Sequence, residues 1–94
     1  MTLTEFKDTL SNTNPDPGLN DYLKALWYDA KNDWETAHSI VQDIETTGAA
    51  HIHAYLHRKE GDLGNASYWY HRAHRKLPNN TLHEEWEEIV EEYL

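Results

Sequence analysis

The chain carries one short break twice. Lys31-Asn32-Asp33 interrupts one helix-patterned stretch, and Glu60-Gly61-Asp62, 29 positions further on, interrupts another. Asn and Gly accept the left-handed backbone that ends a helix, and Asp is a preferred N-cap. Each break therefore ends one helix and starts the next within a few residues, which sets the two helices antiparallel. The same offset places Ala37 on Ala66 and Ala25 on Ala54. Small residues at matched positions let helix axes approach closely. Two such hairpins stack because neither buries its apolar face alone.

The remaining spacing is helical as well, and no stretch alternates with the period of a strand. Leu3, Phe6 and Leu10 share a face of a first helix, and Thr2 with Glu5 has the spacing of a capping box. Asn12 to Gly18, with two prolines, breaks the chain, and Asp16-Pro17 suits the start of a second helix. That helix carries Leu19, Tyr22, Leu23, Leu26, Trp27 and Ala30 on one stripe, and the third carries Trp34, Ala37, Ile40, Val41 and Ile44. Gly48 reads as its left-handed stop. A fourth helix is expected over about 49–60. A fifth has Leu63, Ala66, Tyr70, Ala73 and Leu77 inward. Thr81 and Glu84 form a second capping box before a last helix with Leu82, Trp86, Ile89, Val90 and Tyr93 inward.

These segments add up to an all-α chain of five to six helices in one domain spanning 1–94. The hairpins cover about 17–47 and 49–77, between flanking helices at about 2–12 and 81–94. Helices this short draw their stability from packing. The four tryptophans and six tyrosines supply the area.

Charge narrows the function classes. Eight Lys and Arg against 17 Asp and Glu give a formal net charge of −9, unsuited to general nucleic-acid binding or to an anionic membrane face. The absence of cysteine excludes disulfides, thiolate metal sites and cysteine catalysis. No apolar run approaches a membrane span, and Met1-Thr2-Leu3-Thr4-Glu5 lacks the start of a signal peptide, so a cytoplasmic protein is expected. The charge is also segregated: residues 77–94 hold six glutamates and no Lys or Arg, whereas residues 57–76 hold five cations against two acids. The acidic last helix is expected to lie beside the fourth and fifth. Its apolar stripe does the docking, because surface ion pairs contribute only about 0–1 kcal/mol each.

Gly61-Asp62-Leu63, Ala66, Tyr70, Ala73 and Pro78, with Ala54 on the preceding helix, resemble the tetratricopeptide repeat. The first unit matches through Asn32-Asp33-Trp34 and Ala37, but Val41 and Ile44 stand where the family has an aromatic and Ala, and the period is shorter than the family's. Residues 53–70 also resemble a group of short, uncharacterised bacterial helical proteins. The resemblance implies a small right-handed stack of helical hairpins with a groove lined by the first helix of each. On this chain those positions are Tyr22, Leu26 and Asp29, then His51, Tyr55, Arg58 and Lys59. An aromatic and two cations suit an acidic protein or peptide segment.

Six of the seven histidines lie between His38 and His74. His53, His57 and Glu60 fall at i, i+4 and i+7, one face of the fourth helix. Two imidazoles four apart with a carboxylate are a metal-ligand spacing, although His-Glu-x-x-His is absent. The plainer reading is that they are structural, hydrogen-bonded histidines. His71 and His74, beside Arg72, Arg75 and Lys76, read as a solvated cationic helix end. No phosphate loop and no nucleophile turn is present.

The expectation is thus a non-enzymatic interaction module with no cofactor. It binds a short acidic segment, or a second copy as a homodimer, through His51, Tyr55, Arg58, Lys59 and Tyr22. The alternative is a small-molecule or metal site at His53, His57 and Glu60.

Overall fold

Every helix begins at a side-chain oxygen. In the computed structural model, which describes residues 1–94, the N-caps Thr2, Asn20, Asp33, Thr46, Asp62 and Thr81 each accept a backbone N–H from the first turn. They open α1 (Leu3–Asp8, extended by a 3₁₀ turn, Thr9–Ser11), α2 (Asp21–Ala30), α3 (Trp34–Val41), α4 (Thr47–Lys59), α5 (Leu63–Arg72) and α6 (Leu82–Tyr93). Both capping boxes read from the sequence form, Thr2 with Glu5 and Thr81 with Glu84. There is no strand, so the chain is all-α. No helix is long and apolar enough to cross a membrane.

The repeated break works as its chemistry suggests. Asn32 (φ 63°) and Gly61 (φ 85°) are left-handed. The Asp33 N–H reaches the Tyr28 carbonyl and the Asp62 N–H the His57 carbonyl, closing the preceding helix. The carboxylates of the same two aspartates cap the next helix. One residue thus ends a helix with its backbone and starts another with its side chain. α2 packs on α3 and α4 on α5, and Ala25, Ala37, Ala54 and Ala66 are all fully buried.

Four boundaries differ from the sequence reading. Asn20 rather than Asp16 caps α2, because Asp16 is engaged in a local turn with the Gly18 N–H at 2.8 Å. α3 ends at Val41, short of Ile44. Gly48 is not a left-handed stop but lies inside the first turn of α4, where a Cβ would come 2.6 Å from the Tyr93 hydroxyl and 3.1 Å from the Tyr22 ring. Gly48 is there for that close approach. α5 ends at Arg72. His74 turns left-handed (φ 59°) and the Arg75 N–H bonds the Tyr70 carbonyl, the same closure as at the other two ends. The chain must then cross back to α6, and Pro78 disfavours a helical Leu77. Leu77, expected inward, is therefore exposed, and Leu63, the first residue of α5, is exposed as well.

The main core joins the first hairpin, α4 and the terminal helices. Leu26, Trp27, Val41, Ile52 and Leu56 meet Phe6 from α1 and Trp86, Ile89 and Val90 from α6. A smaller cluster, Ala54, Ala66 and Tyr70, seals the α4–α5 hairpin.

Candidate functional site

The groove expected between the hairpins is filled by α6. α2 and α4 present their faces to the same side, and α6 lies on both. Trp86 donates its indole N–H to the Leu26 carbonyl at 3.0 Å, and the Tyr93 ring rests on Tyr22 with centroids 4.5 Å apart. Of the residues expected to be exposed there, Leu26, Asp29, His51 and Tyr55 are buried, Tyr22 and Arg58 are partly buried, and Lys59 alone is exposed. The physical reason is the apolar stripe of α6, which needs a cover and finds it on this face.

The groove nonetheless holds an acidic helix, and that helix is the chain's own. Glu85, one of the six glutamates of the last helix, is buried. It accepts from the Tyr70 hydroxyl at 2.7 Å and from Arg58 at 2.9 Å, and faces His51 Nε2 at 3.3 Å. Burial pushes its carboxyl up, but the bonds from His51, Tyr70 and Arg58 outweigh it and leave it below the usual range. Beside it, Asp29 accepts from the Tyr55 hydroxyl and from Lys59, each at 2.8 Å. Burial first, then the Asp29 charge and hydrogen bond, hold the Tyr55 phenol well above its ordinary range.

On the opposite side of α4 the histidines converge. His53 and His57 stand at i and i+4, as their spacing indicates, and α3 brings His38 to them. His38 Nε2 and His53 Nε2 are 3.0 Å apart. A ring nitrogen from each of the three imidazoles lies within 4.8 Å of the other two. Trp34, four residues before His38 on α3, stacks on its ring at 4.8 Å and 10°, and Trp69 from α5 stacks on His53 at 4.0 Å and 21°. Two indoles thus fix the planes of two imidazoles.

Glu60 does not join this cluster as a ligand in the way its spacing suggested. Its Oε1 is 2.9 Å from His57 Nδ1. A proton on that nitrogen, shared with the carboxylate, leaves Nε2 of His57 as the lone-pair donor. His57, Glu60 and Asp62 form a second, more exposed grouping, but Asp62 is already engaged by the Asn65 backbone and side-chain N–H groups. His38 is the residue that sequence spacing missed, since it lies on another helix; the legible signal was Trp34 one turn before it.

The electrostatics keep two of the three rings, His38 and His53, uncharged. Burial, then the neighbouring His38 and His57, push His53 down to about 4. Burial and His57 lower His38 as well. At neutral pH these two imidazoles are neutral. His71 and His74 stand apart and exposed at the end of α5.

No protein-family model, no curated protein and no solved structure matches the chain.

Proposed function

We propose that this protein binds a divalent transition metal, with His38, His53 and His57 as ligands and Glu60 orienting His57 from behind. The observation that carries the proposal is the convergence of three ring nitrogens from two helices within 4.8 Å of one another. Zinc–nitrogen bonds of about 2.0–2.1 Å set tetrahedral neighbours roughly 3.3 Å apart, close to the His38–His53 separation of 3.0 Å. Imidazole donors suit zinc, nickel and copper, and neutral rings bind without first losing a proton. The carboxylate on His57 Nδ1 is the usual support behind a metal-bound histidine. Binding, not catalysis, is what these residues support.

The test is thermal melting and calorimetry with Zn²⁺, Ni²⁺ and EDTA. A ligand at a hundred times its Kd stabilises by about 2.7 kcal/mol, about 10–20 °C in a domain this size. His38→Ala with His53→Ala abolishes that rise, whereas His71→Ala with His74→Ala preserves it. An unchanged melt with either metal, or an equal rise in both double variants, rejects the site.

The interaction-module reading stands second, favoured by the way an acidic amphipathic helix fits the α2–α4 groove. In this form α6 of one copy replaces that of another, giving a homodimer. Sizing chromatography over a concentration series detects it, and a single monomeric peak throughout removes it.

A further inference from the structure

A cavity of about 450 Å³ opens where the end of the first helical segment, α2, α4 and the start of α6 meet. It shares no residue with the histidine cluster. The volume falls within the range of small-molecule sites. Leu10, Ala30, Leu82 and Trp86 form apolar walls. The floor is polar and preorganised. Asp29, 1% exposed, has one carboxylate oxygen on the Tyr55 hydroxyl and the other on Lys59 Nζ.

The charge of this lining is unlike the rest of the molecule. The chain has a net charge of −9, yet the cavity is lined by two lysines, Lys7 and Lys59, against one carboxylate, Asp29, which is already satisfied; Glu87, outside the lining, holds Lys7 and lies 3.6 Å from His83 Nε2. Lys59 reaches both Asp29 Oδ1 (2.8 Å) and, at 3.5 Å, the Asp29 carbonyl. An ammonium has three N–H donors, so one stays free, and the side chain is one-third exposed. Asp29 holds that ammonium in place beside the apolar walls. Lys7 is held in turn by Glu87 and stands at the rim. Fixed cations beside an indole and aliphatic walls are the recognition elements of an amphipathic anion.

We propose that this cavity binds a small organic carboxylate, its apolar body against Trp86, Leu82 and Leu10 and its carboxylate on Lys59. The ammonium supplies direction and the walls supply the burial energy. A neutral amide of the same shape fills the walls but leaves Lys59 without its anion.

The experiment titrates the full chain with 3-phenylpropionate, its primary amide, and acetate. The readouts are the Trp86 indole N–H signal in a ¹H–¹⁵N spectrum and the melting temperature. The expected result is a saturable shift of the Trp86 signal by 3-phenylpropionate, with the amide and acetate each weaker by about tenfold or more. Lys59→Gln erases the preference for acid over amide. Should that variant not fold, Leu82→Trp, which fills the mouth, abolishes binding instead. No saturable shift, equal binding of acid and amide, or binding retained in Leu82→Trp overturns the assignment.

Discussion

Replacing Glu85 with Ala tests whether α6 is locked into the groove by a buried charge network. The Glu85 side chain is 3% exposed and the Arg58 side chain 14% exposed. Truncation leaves the Tyr70 hydroxyl, the Arg58 guanidinium and His51 Nε2 without their shared acceptor. Removing one member of a buried ion pair costs about 3–5 kcal/mol. Arg58 also donates to the Asn80 carbonyl, so it is not wholly stranded, which places the loss near the lower end, about 3 kcal/mol. For a chain of this length that is a Tm fall of about 12–24 °C. The assay is thermal and urea melting, with the exposed Glu88→Ala as a control that leaves the melt where it was. Hydrogen exchange locates the effect: α6 amides lose protection ahead of those of α4. The pH dependence follows from the lowered Glu85 carboxyl. A carboxylate with a depressed folded pKa contributes stability above its unfolded pKa, about 4.3, and loses it as pH falls through the folded value. Wild type therefore loses stability in acid more steeply than Glu85→Gln. A Glu85→Ala melt equal to that of Glu88→Ala refutes the argument that this network holds the helix.

Other substitutions probe the turns and the close approaches. Gly61→Ala loses about 1 kcal/mol, because a Cβ there meets nothing within 4 Å and the cost is the left-handed backbone alone. Gly61→Asn, copying Asn32, loses less, and urea melts rank the three. His74→Gly gains about 0.5–1 kcal/mol by relieving the same conformation at the end of α5. Gly48→Ala is destabilising by about 1–3 kcal/mol despite its helical backbone, since the Cβ runs into Tyr93 and Tyr22; a stabilised variant in the same melt contradicts this packing. Thr46→Ala loses about 1 kcal/mol by leaving the Ala49 N–H uncapped, read in the same way.

The sequence was most legible where the chemistry is local. Thr2 with Glu5 and Thr81 with Glu84 need only three-residue spacing to satisfy free N–H groups, and both form. Asn32-Asp33 and Gly61-Asp62 carry their conformation in their own residue types. The four alanines follow, because a residue set opposite another helix by a tight turn must be small. The i, i+4 placement of His53 and His57 is likewise a property of one helix. Apart from Asp16, whose turn onto the Gly18 N–H reads like a helix cap, misreadings began where a residue serves a distant partner. Gly48 looked like a stop because a glycine's packing role depends on Tyr22 and Tyr93, far from it in the chain. Leu63 opens α5 where no element covers it, and Leu77 lies beyond the helix that its spacing extended, which ends at Arg72.

Helix starts, the hairpin turns and the small-residue contacts were therefore set by the sequence alone, through interactions spanning three to six residues. Tertiary structure alone decided that α6 occupies the face between the hairpins, that one of six chemically identical glutamates is buried, and that His38 joins two histidines from another helix. The reason is that periodicity tells which side of a helix turns inward but not which neighbour it meets. Burial of Glu85 and assembly of the histidine cluster arise only when separate helices are brought together by the packing of Phe6, Leu26, Trp27, Trp86 and Ile89.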